Sequence, residues 1–435
     1  MDMTRFALRK IFAVLGQSKL HRLKVVFSNG SEYTNYDAGA KPEITIRFKT
    51  RRSEWWTALF FFEGFFEKYI DGEIDLEGVD PIVKIGELGH ASQLKPTSSH
   101  ARTYVYSANP FMFVRKVIQE WMQSNWHRAK AKKNAEFHYA IHPSLFENIL
   151  GETVGYSEGY WTTDTRTLNQ AKHNNYEYIC RKLRLKPGDK VLEVGSGWGF
   201  MPIYMAKRYG AEITVYNPVR RQNEYMRERF QRHGVADKIR LIEGDHRDIE
   251  KEEAGTYDKF VTIGVHEHHG LELRMYGAWW KSIAHILKPG GVGLISTTSY
   301  LPRVSTNFLT LKYVFPGGHL PSLSQELLAM HRCGMTLIDV ENLWPHYHRT
   351  AEHWKNRFRE RWIKIRESDP AFFTERFRRR WSLYLEATTE TFANSLDASH
   401  ILFTKDRDSG YYPWTHEERH KAEFRTGNQD VECYR

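Results

Sequence analysis

The stretch GDKVLEVGSGWG, residues 188–199, constrains the fold of this chain more than any other feature. Val191, Leu192 and Val194 form a short apolar run, which is typical of a buried parallel strand. Three glycines follow within five residues, and because they lack Cβ atoms the backbone there can turn tightly and approach a ligand. An apolar pattern of helical spacing then runs from 201 to 209. Strand, glycine turn and helix predict half of a doubly wound α/β sheet.

The alternation of strand and helix patterns continues after this turn. Further strands are predicted at 211–215, 239–242, 258–264 and 293–297, and helices at 220–233 and through Trp280 and Ile286 up to the turn at 288–291. The pattern predicts one Rossmann-like sheet that spans about 135 to 300 and continues beyond.

The spacing of the glycines and two nearby acids indicate which cofactor the turn binds. The third glycine comes two residues after the second, whereas the dinucleotide fingerprint has it three after. Glu193 stands two residues before Gly195, where it can bind a cationic amino acid or a hydroxyl group. Asp245, in LIEGDHRD, offers a carboxylate to an adenine amino group. These features favour S-adenosylmethionine over NAD, and the alternative is a glycine turn with a purely structural role.

Composition limits the class of protein. A chain of 435 residues is long enough for two or three domains, and its net charge of +10 indicates an anionic partner, either nucleic acid or an acidic membrane surface. No helix-turn-helix, zinc-finger or RNP signature accompanies that charge, so we expect no nucleic acid partner. The three scattered cysteines suit a reducing cytosol. No segment approaches the run of about 18 apolar residues that spans a bilayer, and Arg9 and Lys10 make a signal peptide at the start unexpected.

Four regions are expected along the chain. Residues 1–95 read as an α+β module, with strands at 23–27 and 43–48 and an aromatic stretch at 55–78 that is either core or a surface for acyl chains. Residues 96–135 read as a Ser-rich linker and a helix with aromatic and basic residues, which suits contact with phospholipid. The domain of the glycine turn occupies 136–404, and 405–435 is a polar tail.

Several motifs resemble those of one known family. They are HYAIHPSLF (138–146), YSEGYW (156–161), VLEVGSGWG (191–199), IGVHEHHG (263–270), LKPGG (287–291), YVFPGGHLPS (313–322), HYHRTAEHWKNRF (346–358) and ERFRRRWSLYLE (375–386). Together they are similar to the cyclopropane-fatty-acid synthase family, which includes the mycolic-acid methyltransferases. The resemblance covers 135–404, and YIDGEIDLEG (69–78) more faintly resembles the N-terminal lipid-handling domain of longer members. It implies a class I S-adenosylmethionine-dependent methyltransferase domain.

The resemblance also implies an activity and a set of cofactor-binding residues. The activity is methyl transfer to the cis double bond of an acyl chain in a phospholipid. The residues that match family positions for the cofactor are Tyr156, Ser157, Gly195, Ser196, Gly197, Trp198, Gly199, Asn217, Gln222, Asp245 and His246, to which Glu193 is added from its position before the turn.

The family's catalytic positions are only partly retained. In cyclopropane synthases a bound bicarbonate removes a proton, and a Cys, a Glu, a His and a Tyr hold it. Glu267 and Tyr347 match that Glu and Tyr, and His268 matches a further family residue, but Glu158 stands in place of the Cys and Ser296 in place of the His. A late family cysteine is also replaced, by Thr388. Because a carboxylate repels an anion, bicarbonate binding is doubtful.

Glu158 has two interpretations. Its carboxylate can act as the base in place of bicarbonate, with Glu267 close enough to push the two pKa values apart. Alternatively, it binds a nearby Arg or His. The first predicts a methylene-branched or methyl-branched unsaturated product, as some members of the family make, and the alternative product is a cyclopropane. A saturated branch would need a separate reductase, since no flavin or nicotinamide motif is present.

The remaining expectations concern metal, assembly and location. The run His266, Glu267, His268, His269 suggests a metal, but adjacent residues cannot all face one ion, so none is expected. We expect a homo-oligomer at the inner, cytoplasmic face of an anionic membrane. Two other functions stay open at this point: a non-catalytic subunit that binds cofactor or lipid, and a nucleic-acid methyltransferase suggested by charge alone.

Overall fold

The computed structural model describes residues 2–37, 39–92, 109–269, 273–301 and 306–406. The Ser-rich start of the expected linker and nearly all of the expected polar tail therefore lie outside the described residues. The chain divides into two compact units. The first comprises 1–122, 307–314 and 362–390, and the second comprises 123–306, 315–361 and 391–435. The four-region division expected above stays a prediction.

The first unit is built on a four-stranded sheet. Its elements are α1 (Met3–Leu15), β1 (Leu23–Val26), β2 (Glu32–Thr34), β3 (Ile44–Phe48), α2 (Arg51–Ile70), β4 (Ile74–Gly78), α3 (Pro81–Ala91), α4 (Pro110–Gln123, whose last residue falls in the second unit) and the short α11 (Phe308–Tyr313). The strand order is β2-β1-β3-β4, with β1 and β3 parallel. Leu8 and Phe12 of α1 are buried with Ile46 and Phe48 of the sheet, so that helix closes the core of this unit.

The aromatic residues of the first unit divide between core and surface. Phe60 and Phe65 of α2 are buried, whereas Trp55, Phe61 and Phe62 are exposed. The helix α4 is more unusual, because its Lys116 is buried while a row of apolar side chains faces outward. The exposed residues are Phe111, Phe113, Val114, Val117, Ile118, Trp121 and Met122. An exposed apolar surface of this kind is typical of a lipid or protein contact.

The second unit contains the predicted doubly wound sheet. Its helices are α5 (Arg128–Tyr139), α6 (Pro143–Leu150), α7 (Leu168–Lys182), α8 (Phe200–Tyr209), α9 (Arg220–Arg232), α10 (Leu273–Ile286) and α12 (Leu323–Arg332). Its strands are β5 (Lys190–Val194), β6 (Glu212–Asn217), β7 (Ile239–Glu243), β8 (Tyr257–Ile263), β9 (Leu287–Ser299), β10 (Thr336–Asn342) and β11 (Asp397–Thr404). Two more helices, α13 (Trp344–Ser368) and α14 (Glu375–Asn394), belong partly to each unit, because the boundary between the units falls inside them.

The seven strands have the order β10-β11-β9-β8-β5-β6-β7, and β11 alone runs in the direction opposite to the other six. Successive side chains of β5 point to opposite faces, so Val191 belongs to one core cluster and Leu192 to the other. Both faces are covered, as in class I methyltransferases, and the predicted fold class is confirmed.

One predicted boundary is wrong. Residues 288–291 were expected to be a turn before a strand at 293–297, but β9 already begins at Leu287. The pairing with β8 shifts in register between Tyr257 and Lys259, which pair with Leu287 and Val292 respectively. Gly290, with φ of 75°, allows the irregular backbone that this shift requires. Among the described residues, no helix combines the length and apolar character needed to cross a bilayer.

Candidate active site

The glycine turn joins β5 to α8 and leaves open space at one of its glycines. Gly195 (φ 73°) and Gly199 (φ 83°) are demanded by packing, since a Cβ there would lie 2.2 Å from Val265 and 2.6 Å from Met226. A Cβ at Gly197 would meet nothing within 4 Å. The turn is therefore compact at both ends, and at Gly197 its backbone is open to a ligand.

Glu193 at the end of β5 is a buried acid without its full set of partners. Glu193 is 2% exposed, and no described residue forms a hydrogen bond with its Oε2. Burial raises the pKa of Glu193 to about 8, and the neighbouring Ser196 hydroxyl opposes that rise. A buried polar atom without a partner is costly, so a ligand hydroxyl or ammonium group would stabilise it. Together with the open space at Gly197, this fits the expected cofactor.

Two further predicted cofactor residues lie at the end of the next strand. Asn217 ends β6 and is buried, and its Nδ2 donates to Oδ1 of Asn223 at 2.7 Å. The same amide is 3.4 Å from Oε1 of Gln222, which is also buried. Asn223 was not predicted, and it holds Asn217 in place from the first turn of α9.

Asp245 is already paired by a residue that the sequence interpretation missed. Its Oδ1 accepts from Nε of Arg247 at 2.7 Å, and its Oδ2 accepts from Nη2 of Arg247 at 2.6 Å. Burial would raise the pKa of Asp245, but the Arg247 hydrogen bonds hold it below its usual value. An adenine amino group would thus share the carboxylate with Arg247.

The predicted run of histidines divides into two groups. His266 bonds to Glu326 through Nε2 at 2.6 Å and to His269 at 2.9 Å, and the ring of His269 lies 3.9 Å from that of His246. His268 instead has its Nε2 3.0 Å from the hydroxyl of Tyr139. In the described part of the chain, no three His, Cys, Asp or Glu residues are grouped so as to hold a metal ion.

A series of aromatic rings connects the glycine turn to Tyr347. The centroids of successive rings are 5.5 Å apart from Trp198 to Phe146, 5.7 Å from Phe146 to Tyr156, 5.2 Å from Tyr156 to Trp354 and 5.8 Å from Trp354 to Tyr347. Three residues predicted separately, Trp198, Tyr156 and Tyr347, are thereby placed along one aromatic wall.

Glu158 is the centre of a buried polar cluster. Its Oε1 accepts from Nε2 of His400 at 2.8 Å, from the Ser296 hydroxyl at 3.0 Å and from the Asn175 amide at 3.3 Å. Burial would raise the pKa of Glu158, but the hydrogen bond from His400 holds that pKa near 2. The carboxylate is therefore ionised at neutral pH. Glu158 thus binds a nearby His, and its role as the base stays a prediction.

Lys172 supports the backbone of this cluster. It is fully buried in α7, its ammonium donates to the carbonyl oxygen of Ser157, and it lies 5.1 Å from the ring centre of Trp354. Burial lowers the pKa of Lys172 to about 7, and the charge of Glu158 opposes that fall. Lys172 was not predicted, because nothing in its sequence neighbourhood distinguishes it from a surface lysine.

Glu267 is bound to the same strand as Glu158, β9, two residues further along. Its Oε1 accepts from the backbone nitrogen of Thr298 at 2.7 Å and from the Thr298 hydroxyl at 2.8 Å, and its Oε2 has no hydrogen-bond partner among the described residues. Ser296 and Thr298 are two residues apart on β9, so their side chains share one face, about 7 Å apart along the strand. The two acids predicted to be close are held by neighbouring positions of that strand.

His400 is the most important residue that the sequence interpretation missed. It is directly opposite Ser296 in the β11–β9 ladder. An imidazole thus faces Glu158 next to Ser296, the position to which the resemblance assigns a histidine. No local signal marks it, because the strand DASHILFT reads as an ordinary buried strand and Glu158 is 242 positions away.

Comparison with known proteins identifies the family. Residues 126–401 match the family of mycolic acid cyclopropane synthetases. A probable fatty acid methyltransferase of Pseudomonas putida is 26% identical over 89% of this chain and 94% of its own length. The cyclopropane-fatty-acyl-phospholipid synthase of Escherichia coli K12 is 29% identical over 63% of this chain and 68% of its own. The tuberculostearic acid methyltransferase UfaA1 of Mycobacterium tuberculosis is 28% identical over 74% of each chain.

Solved structures support the same fold. The crystal structure of mycolic acid cyclopropane synthase CmaA1, complexed with SAH and CTAB, aligns with a TM-score of 0.56 and 23% identity over 63% of this chain and 98% of that one. The predicted resemblance is confirmed, and with it the cofactor. The chain belongs to the mycolic acid cyclopropane synthetase family and is an S-adenosylmethionine-dependent enzyme.

Proposed function

We propose that this enzyme transfers a methyl group to the cis double bond of an unsaturated acyl chain in a phospholipid, and that its product is a methylene-branched or methyl-branched chain. When bound, S-adenosylmethionine supplies an electrophilic methyl group. The substrate class follows from the names of its relatives, which act on fatty acids and fatty acyl phospholipids. The product follows from Glu158 and its surroundings, and this is the observation that carries the proposal.

Twelve residues are proposed to hold the cofactor. Glu193 and the open backbone at Gly197 are the strongest members, because the first has an unpartnered buried oxygen and the second has free space beside it. The set is Tyr156, Ser157, Glu193, Gly195, Ser196, Gly197, Trp198, Gly199, Asn217, Gln222, Asp245 and His246.

The substrate needs stabilisation because an alkene is a poor nucleophile. Its π electrons would form the new C–C bond to the methyl group while the methyl–sulfur bond breaks and its electron pair stays on sulfur, and a cation would be left on the neighbouring carbon of the chain. The ring faces of Tyr156, Trp354 and Tyr347 offer negative π density. Trp354 is fully buried and the two tyrosines are half-buried, which limits the access of water that would trap the cation.

Glu158 is proposed as the base that ends the reaction. After a hydride shift, a C–H bond beside the cation breaks, its electrons form a new C=C bond, and the proton passes to a carboxylate oxygen of Glu158. A pKa near 2 is no obstacle, because a carbocation is a far stronger acid than a carboxylic acid. Loss of the proton from the methyl group gives a methylene branch, and loss from the chain gives a methyl-branched alkene.

The same geometry disfavours bicarbonate. Glu158 is ionised, and it stands where the resemblance assigns a neutral cysteine to the bicarbonate site. A bound anion beside this additional carboxylate would be repelled in a medium of low dielectric constant. Glu267, His268 and Tyr347 are proposed to line the reaction site, and a saturated product would require a separate reductase.

Contact with an anionic membrane at its cytoplasmic face is part of the proposal. Its support is the net charge of +10 and the exposed apolar face of α4, which at 14 residues and about 21 Å is too short to span a bilayer. We also propose a homo-oligomer, without a nucleic acid partner.

The test is the rate of methyl transfer to unsaturated phospholipid vesicles with and without bicarbonate. The proposal predicts an unchanged rate when bicarbonate is removed and a fall of about a hundredfold or more in Glu158→Gln, the scale for loss of a general base. The exposed Glu152, six positions earlier, provides the control variant Glu152→Gln, which should keep the wild-type rate. A Glu158→Gln enzyme of normal rate would refute the assignment.

A further inference from the structure

A chain of side chains leads from Glu158 toward solvent. Nδ1 of His400 lies 3.3 Å from Nζ of Lys182, and that Nζ lies 2.5 Å from Oε2 of Glu341. The hydroxyl of Tyr178 donates to the same oxygen of Glu341 at 2.7 Å. All of these residues belong to the second unit, on α7, β10 and β11, so the chain is a feature of one compact body.

Lys182 is an unusual residue because it is buried. The side chains of Glu158, His400 and Lys182 are 3%, 1% and 3% exposed, and only Glu341, at 28%, reaches solvent. Burial lowers the pKa of Lys182, and the charge of Glu341 opposes that fall. Arg181, the preceding residue of α7, pairs with Glu177 at 2.8 Å, and its side chain, at 16%, is more exposed than that of Lys182.

The chemistry of an ammonium group determines where the proton of His400 sits. Lysine has donors and no acceptor, so Nδ1 of His400 must be the acceptor of the bond from Lys182. Burial lowers the pKa of His400, which keeps the ring neutral with a single hydrogen. That hydrogen is then on Nε2, the nitrogen that faces Oε1 of Glu158 at 2.8 Å.

We propose that Lys182, held by Glu341 and Tyr178, is a positioning residue that fixes His400 in the tautomer that donates from Nε2 to Glu158. In the other tautomer a nitrogen lone pair would face the carboxylate, and Glu158 would have to be protonated to form the bond. A protonated Glu158 cannot accept the substrate proton. The inference rests on the proposed role of Glu158 as the base, and Lys182 acts on the reaction only through His400.

The tautomer itself can be measured. Nitrogen-15 NMR of protein labelled on histidine distinguishes protonated from unprotonated ring nitrogens, and the signals of His400 are assigned by their loss in His400→Gln. We expect Nε2 of His400 to carry the hydrogen in the wild type. In Lys182→Met we expect His400 to be a mixture of both tautomers. The kcat of Lys182→Met should fall about tenfold to a hundredfold, the scale known for loss of a partner that orients a metal-binding histidine, with KM and cofactor affinity unchanged.

Two comparisons separate positioning from plain stabilisation. Lys182→Arg keeps a donor toward Nδ1 and should retain most of the activity. It also allows the proposal to be tested if Lys182→Met folds poorly. Arg181→Met removes a comparable ion pair one residue away on α7, to Glu177 at 2.8 Å, and should leave kcat unchanged.

A double-mutant cycle gives the sharpest outcome. In His400→Gln the side-chain amide still donates to Glu158 but has no tautomers, so adding Lys182→Met to it should cost nothing further in kcat. A structural role for Lys182 would give the same loss in both backgrounds and would overturn the inference. If Glu158→Gln is inactive while Lys182→Met keeps the wild-type tautomer and kcat, the inference alone fails. If Glu158→Gln is fully active, the proposed base is wrong and the inference falls with it.

Discussion

The affinity for S-adenosylmethionine should depend on pH through Glu193. Burial raises the pKa of this carboxyl group to about 8 in the free enzyme, so at pH 7 roughly nine molecules in ten carry it protonated. The proposed contact requires an ionised carboxylate. The proton must therefore leave on binding, and affinity should rise about fiftyfold from pH 6 to pH 8 and then level off.

Isothermal titration calorimetry measures both consequences. The dissociation constant should fall with pH as stated, and at pH 7 nearly one proton should be released per cofactor bound, seen as a dependence of the heat on the buffer. Glu193→Gln is the control, since it binds more weakly but cannot titrate. His246, whose pKa burial lowers to about 4, stays neutral throughout this range. An affinity that stays the same from pH 6 to pH 8 would refute the reasoning. So would an affinity that changes with pH equally in the wild type and in Glu193→Gln.

Three further outcomes are expected. Gly197→Val should abolish cofactor binding, because the added side chain fills the open space beside the turn, while circular dichroism shows a normal fold. An unchanged affinity by calorimetry would show that the turn is not part of the binding site. Binding to anionic vesicles in a flotation assay should weaken as salt approaches 1 M, where the Debye length is about 3 Å, and equal binding to neutral vesicles at every salt concentration would contradict the electrostatic argument. Trp354→Ala should lower the free energy of unfolding in urea by about 3–5 kcal/mol, since Trp354 is fully buried, whereas Trp344→Ala, on the same helix but 41% exposed, should change it little.

The sheet could be predicted because its signals are local. The apolar run before Gly195, the glycine turn and the helix after it lie within about twenty residues, and each has a physical meaning that no distant residue changes. The start of β9 could not be predicted. Its first residues pair with β8 through a register shift, and only the neighbouring strand determines that Leu287 joins the sheet.

Site residues that lie in a family motif could be predicted. Partners that a distant strand supplies could not. Glu158 was singled out because it replaces a family cysteine, and the predicted closeness of Glu158 to Glu267 stays a prediction, with the two acids bound to Ser296 and Thr298 of β9. His400 and Lys182 escaped notice, because their meaning arises only when β11 and α7 are brought beside Glu158. Asp245 was predicted from its own motif, but the sequence did not indicate that its carboxylate also binds Arg247.

The identity of the lipid product tests the central claim most directly. Fatty acids from a host that makes only straight unsaturated chains would be analysed by gas chromatography and mass spectrometry after expression of this enzyme, with Glu158→Gln expressed in parallel. The account predicts methylene-branched or methyl-branched unsaturated chains that carry one added carbon and are absent with Glu158→Gln. A cyclopropane as the main product, formed by the purified enzyme only when bicarbonate is present, would contradict it.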